Sequence, residues 1–206
     1  MILDTETWLT LIDTRLEPSR LMPRMLNKFQ EGAKRDMRIN KDHLYHGAAL
    51  TQIAEHPRYT SINAFRYQRK NSRSAFKVND TIGLYLKYAT EPSPGGRYKE
   101  YLFNFRSQHF RELRQLKKGT ANIFVGLICV RDKEICCLHY DELIELVKER
   151  QQELMGFEDQ YAILVKLSQG SSFRVYLNQP GTKGKALNHF VIPRRNFPAR
   201  LFEKYA

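Results

Sequence analysis

The sequence predicts a mixed α+β fold (an α/β chain): an N-terminal helical arm, a central mixed sheet flanked by helices, and a small C-terminal β unit. Three observations carry this. Between residues 60 and 105, β-branched and aromatic residues sit at alternate positions, the period of strands. Asn122–Val130 (NIFVGLICV) is a nearly continuous apolar run, as in a strand covered on both faces. Helical spacing, by contrast, dominates residues 4–57 and recurs only at 107–118 and 141–155. The boundaries expected are 1–57 for the arm, 58–157 for the central domain and 158–206 for a small basic β subdomain packed on it.

In chain order, Asp4–Leu16 (DTETWLTLIDTRL) places Trp8, Leu9, Ile12 and Leu16 near helical spacing behind a capping Asp4 or Thr5, and Pro18 and Pro23 interrupt it. A second helix fits Met25, Leu26 and Phe29, fading at Gly32; AKRDMRINKD reads as a polar loop; a third helix fits Gly47–His56, closed by Pro57. Strands follow at Thr60–Phe65, Ser74–Asn79, Ile82–Ala89 and Tyr98–Phe105. Asn79-Asp80 suits a turn, since both tolerate positive φ. On the third strand Ile82, Leu84, Leu86 and Tyr88 share one face; Gly83, Tyr85, Lys87 and Ala89 share the other, read as the accessible side. EPSPGGR is a loop. Ser107 is a good N-cap for SQHFRELRQLKK, which buries Phe110, Leu113 and Leu116. After NIFVGLICV, Arg131-Asp132-Lys133 turns and Glu134–His139 returns as a strand. Asp141 caps a helix to Met155. Tyr161–Leu167 and Phe173–Leu177 form a hairpin, His189–Ile192 adds a third short strand, and IPRRNFPARLF docks through Phe197, Leu201 and Phe202 with Arg194, Arg195 and Arg200 facing out.

At 206 residues the chain can bury a real core, and its 42% hydrophobic and 12% aromatic content is that of a globular protein. No apolar run approaches the roughly 18 residues of a membrane span, and nothing near the N-terminus pairs a basic start with an apolar run, so no membrane partner and a cytoplasmic location are expected. Cys129, Cys136 and Cys137 read as reduced, buried small hydrophobes.

The formal net charge is +12, unevenly spread. Residues 1–57 hold 8 basic and 8 acidic side chains, 58–118 hold 14 and 4, 119–160 hold 4 and 9, and 161–206 hold 8 and 1. A polyanion, DNA or RNA, is the partner such a footprint suits, because displacing condensed counterions from phosphates drives binding. The stretch Arg58–Lys77 interleaves Arg58, Arg66, Arg69, Lys70, Arg73 and Lys77 with Tyr59, Phe65, Tyr67 and Phe76; cations neutralise phosphates and aromatics stack on unpaired bases. Its middle, QRKNSRS, reads as a mobile loop. Arg97, the basic helix face of Arg111, Arg114, Lys117 and Lys118, and the tail cations Arg194 and Arg195 extend the expected surface. The competing reading is a non-catalytic interaction protein or homodimer, in which the acidic helix Asp141–Glu153 meets a basic face of another copy or partner.

For catalysis the candidates are Asp80, Lys87 and Glu100. Metal-assisted phosphodiester cleavage needs carboxylates for Mg²⁺ and a cation near the reacting oxygens. The order helix, strands, helix, strand over roughly residues 45–130 resembles the PD-(D/E)XK nuclease superfamily, in which an acid precedes a strand bearing an acid, one intervening residue and a lysine. Tyr85 stands where that family has Asp or Glu. The resemblance implies a metal-dependent endonuclease, as in restriction or phage defence, with Asp80 holding metal, Lys87 stabilising an attacking or leaving oxygen, and Glu100 or Glu55 supplying the missing carboxylate. His43 and His46 in HLYHG are candidates for acid–base work. Cys136, Cys137 and His139 cluster, but adjacent strand residues point to opposite faces and do not readily share a metal. No GxxxxGK[ST] phosphate loop, GxGxxG after a strand, or Gly-x-Ser-x-Gly elbow is present.

Overall fold

A computed structural model of the chain describes residues 38–93 and 98–203, without the side chains of 183, 184 and 187. The chain divides into two units, Met1–Ile39 and Asn40–Ala206. The expected helices around Trp8 and Phe29 lie outside the described residues, as does Arg97.

The second unit opens with α1 (Lys41–Ala54), which starts six residues before the expected Gly47. Asn40 supplies the reason: its side chain accepts from the His43 backbone N–H at 2.9 Å, and the Asn40 N–H donates to His43 Nδ1 at 3.3 Å. Five strands form one mixed sheet in the order β1 (Ile62–Tyr67), β2 (Lys70–Val78), β3 (Ile82–Ala89), β5 (Asn122–Cys129) and β6 (Glu134–His139). Only β3 and β5 run parallel, Lys87 beside Leu127. That parallel step needs a crossover, which β4 (Lys99–Arg106) and α2 (Ser107–Lys117) provide. A second, antiparallel sheet runs β4, β7 (Gln160–Leu167), β8 (Phe173–Gln179) and β9 (Thr182–Ile192). Helix α3 (Tyr140–Leu154) follows β6, and a 3₁₀ turn, η1 (Ala199–Phe202), lies near the end. The fold class is therefore α+β.

The pairing of strand β4 crosses the expected boundary at residue 157. It pairs with β7 along its full length, from Lys99 opposite Leu167 to Arg106 opposite Gln160. The C-terminal strands thus share a sheet with the central segment, and residues 40–206 form one unit. β9 also runs well ahead of the expected His189.

The first core cluster fills the space between the sheets. Tyr85, Val125, Leu127 and Leu138 meet Phe103, Phe105, Ile163, Val165 and Phe173, with Leu113 and Leu116 of α2 and Leu143 and Leu146 of α3. The second lies on the other face of the mixed sheet, where Leu84, Leu86 and Phe124 meet Ala49 and Ile53 of α1 and Phe197 and Leu201 of the tail. β5 is thus covered on both faces, as its apolar run implies. So is most of β3. The face of Gly83, Tyr85 and Lys87 is interior, Tyr85 being only 1% exposed. Gly83 is needed there: a Cβ would stand 2.9 Å from Leu116 Cγ and from Thr120 Oγ1.

The cysteines behave as buried hydrophobes. Cys136 faces the first cluster and Cys137 the second, and burial pushes the Cys137 thiol up to about 12. In the tail, Phe197 and Leu201 are buried and the Phe202 ring stacks on His56 at 4.3 Å. The arginines there do not all face out. Arg194 forms an ion pair with Glu134, and buried Arg200 donates to the Cys137 carbonyl and, at 2.8 Å, to Glu142. Acid partners some 60 residues away decide their direction.

Candidate nucleic-acid interface

The β1–β2 hairpin closes through two residues, Gln68 (φ 48°) and Arg69 (φ 63°), with Tyr67 opposite Lys70. Both lie in the left-handed region, as two-residue hairpin loops of the primed type demand to match strand twist. QRKNSRS is therefore a tight turn and the start of β2, not a mobile loop. The turn exposes Arg66, Arg69, Lys70 and Arg73 at one end of the sheet. Phe65 packs on the first cluster and Phe76 on the second, leaving Tyr67 as the aromatic nearest the tip.

Between this end and the first turns of α2 lies a cleft of about 570 Å³, lined by Tyr67, Lys70, Arg73, Ser74, Tyr85 and Glu112, with His109 and Gln108 on its helical side. Helix α2 begins one residue earlier than a Ser107 cap would place it: Arg106 is the capping position, and its backbone N–H donates to His109 Nδ1 at 3.0 Å. That bond requires a bare Nδ1, so the neutral ring carries its proton on Nε2. His109 is held down to about 4, by burial first and then by Lys87 and Arg106, and it is neutral at pH 7. Tyr85 donates to buried Glu112 at 3.2 Å, and burial together with that carboxylate pushes the phenol up.

Lys87 projects from β3 beside this cleft. Its ammonium lies 5.2 Å from the centre of the Phe105 ring, and that ring meets His109 edge-on at 6.2 Å. Burial first, then Arg106, holds Lys87 down to about 8, with Glu112 opposing. Among the described residues its ammonium has no hydrogen-bond acceptor and no ion pair within 4 Å.

The three expected catalytic residues are not brought together. Asp80 sits in the β2–β3 turn (φ 58°), exposed, its carboxylate 3.4 Å from Asn63 Nδ2. Five strand steps, about 17 Å, separate Ile82 at that end from Lys87. Glu100 takes the Tyr176 hydroxyl on the second sheet. It stands five steps, again about 17 Å, from Phe105, the β4 residue that Lys87 touches. Glu55 is exposed at the end of α1. Among the described residues no three His, Cys, Asp or Glu side chains gather as a metal-binding group. His43 caps α1; His46 is buried with Nδ1 2.8 Å from the Arg73 carbonyl; His139 caps α3.

The chain matches no family model, no curated protein and no solved structure.

The expected basic surface divides once the partners are known. Arg66, Arg69, Lys70 and Arg73 share the hairpin end. Arg58 belongs to the opposite end, donating to the Phe202 carbonyl at 2.7 Å. Arg111, Arg114 and Lys118 are exposed along α2. Lys117 instead bonds Asp141 at 3.2 Å and lies over the Tyr140 ring. Arg195 is exposed beyond β9, far in sequence from the hairpin, while Arg194 is paired. Sequence reasoning missed Tyr85, His109 and Glu112. The available signal was the i, i+3 spacing of His109 and Glu112 on a helix, together with Tyr85 sharing the Lys87 face of β3.

Proposed function

We propose that the protein binds nucleic acid through the arginine-rich end of the β1–β2 hairpin and the cleft beneath it. The observation that carries this is how charge is spent inside the fold. Five of the nine acids in segment 119–160 are paired internally: Asp132 with Lys99, Glu134 with Arg194, Asp141 with Lys117, Glu142 with Arg200, Glu158 with Arg150. The hairpin cations are left over. Among the described residues Arg66, Arg69 and Lys70 form no ion pair, and the one pair of Arg73 is to Asp42 at 4.0 Å. On the acidic helix of the competing interaction reading, Asp141 and Glu142 are paired within the chain, whereas Glu145 and Glu153 stay exposed, so self-association without nucleic acid is the outcome that would favour that reading.

Backbone strain supports the reading too. Gln-Arg occupies a turn that favours Asn-Gly, and an L-residue in the left-handed region costs roughly 1–2 kcal/mol. Such strain collects where a side chain is wanted for function.

The test is binding to fluorescein-labelled single- and double-stranded DNA and RNA, with the Arg66, Arg69, Lys70 and Arg73 quadruple alanine variant beside the native chain. About four phosphate contacts give a slope of log affinity against log salt near −3 to −4 on duplex DNA, largely lost in the variant. Absence of binding, or equal binding by the variant, overturns the proposal. Arms with Mg²⁺, Mn²⁺ and EDTA score strand cleavage, the narrower activity of restriction or phage-defence type; since Asp80, Lys87 and Glu100 lie apart, binding is the activity proposed.

A further inference from the structure

Two hydrogen-bond donors flank the Phe105 ring beside the cleft without a protein acceptor among the described residues. Lys87 brings an ammonium in from β3, and His109 brings Nε2–H from α2, because its Nδ1 is taken by the Arg106 backbone. Among the described residues neither has an acceptor. A half-buried ammonium normally finds a carboxylate or carbonyl, since leaving water without a partner costs several kcal/mol. The carboxylate that acts on Lys87, Glu112, accepts from Tyr85, and among the described residues it forms no ion pair with Lys87.

The charges facing Lys87 can be named element by element. Arg106 on β4 repels it, Glu112 on α2 attracts it, and His109 beside it is neutral. His46 on α1 feels Lys87 and is itself held low by burial. From β2, Arg73 stands at the mouth of the cleft and Ser74 lines it. From β5, the register neighbour is apolar Leu127. The balance is positive with two idle donors, which is an environment short of an anion.

We propose that Lys87 and His109 form a recessed phosphate site, at which one phosphate group of the bound nucleic acid is held beneath the hairpin. The site rests on the nucleic-acid reading above and gives it a second, inner contact. The outer arginines neutralise phosphates in water at any pH below 12, whereas the inner lysine does so only while it holds its proton. A tetrahedral anion accepting from Lys87 and from His109 Nε2–H would satisfy both donors. It would also restore to the ammonium what desolvation takes away.

Two measurements test this. Reductive ¹³C-methylation keeps lysine charges and gives each lysine a titrating signal, with that of Lys87 identified by its loss in Lys87→Met. At constant ionic strength, exchanging chloride for about 20 mM inorganic phosphate is expected to raise the Lys87 midpoint by about one pH unit while exposed lysines stay put. An unmoved midpoint overturns the site, whatever the oligonucleotides do. In the second measurement, the tightest-binding labelled oligonucleotide is titrated at pH 7 and pH 9. The native chain should lose affinity about threefold to tenfold on that pH rise, and Lys87→Met should lose that pH response and about one unit of salt slope. A pH response retained in Lys87→Met overturns the inner contact and leaves the hairpin reading standing. Failure of the hairpin quadruple variant to weaken binding overturns the outer reading, while the phosphate titration still decides the recess.

Discussion

Replacing Lys87 by methionine should make the protein more stable. The side chain leaves β3 on its interior face, beside Phe105, in the space between the two sheets. There the charged form is disfavoured, and the group is held from its usual 10.5 down to about 8. At about 1.4 kcal/mol per pH unit that depression corresponds to roughly 3 kcal/mol against the ammonium, and residual water at its tip trims it to about 2 kcal/mol. Methionine fills similar volume without charge and adapts to irregular space. The linkage has a definite sign. Between pH 8 and 10.5 the unfolded chain binds the Lys87 proton and the native protein does not, so this group adds stability as pH rises through that window. The advantage of Lys87→Met is therefore complete below pH 8 and shrinks toward pH 10.5. Thermal unfolding at pH 7 and pH 10 reads it directly: about 6 °C higher Tm at pH 7, most of that difference gone at pH 10. A variant less stable than the native chain at pH 7, or a difference independent of pH, would refute the reasoning. It would show the ammonium to be solvated or paired rather than stranded.

Three further outcomes are expected. Gln68→Asn with Arg69→Gly should stabilise the hairpin by about 1 kcal/mol, read by urea unfolding, and weaken oligonucleotide binding in the same protein; a destabilised variant would contradict the strained turn. His109 binds its proton in the unfolded chain near 6.5 and in the native protein near 4, so it removes stability as pH falls from 6.5 to 4. His109→Gln should flatten that part of the pH–stability curve, and an unchanged slope would assign the loss to other groups. Arg200→Met strands Glu142 and the Cys137 carbonyl at a site 8% exposed and should cost about 3 kcal/mol in urea unfolding. A loss under 1 kcal/mol would mean that water replaces the guanidinium.

How much of this the sequence discloses depends on whether the deciding partner is near in the chain. β5 is legible because nine consecutive residues state its environment by themselves. The Asn79-Asp80 turn is legible because its two residues carry the required backbone preference, and both do adopt positive φ. The hairpin tip is not, because Gln68 and Arg69 lack that preference and strand pairing imposes the conformation on them. β4 shows its inward Tyr101, Phe103 and Phe105 plainly, yet nothing in YLFNFR says that its partner is β7, some 60 residues on, rather than β3. Lys87 illustrates the same limit at the level of one side chain. A lysine at the end of an alternating strand reads as a solvent mark, and that would hold if only one face of β3 were covered. Here α1 and the tail cover one face and the second sheet with α2 covers the other, so the ammonium is drawn inward.

Charge follows this rule as well, and the consequence bears on function. The block sums mark both residues 58–118 and residues 161–206 as basic surfaces. Pairing across the fold separates them, because Arg194 and Arg200 meet Glu134 and Glu142 and become structural, whereas Arg66, Arg69 and Lys70 meet no acid among the described residues. A net charge per segment therefore gives an upper limit on what is available to a ligand, and the topology decides the remainder. In this protein the remainder gathers at a strained turn above a cleft, and Lys87 lies beside that cleft with no ion pair among the described residues. If, as proposed, an anion binds at the tip, Lys87 is the next donor inward, which is why the inner lysine and the outer arginines are best tested as one interface with two different pH responses.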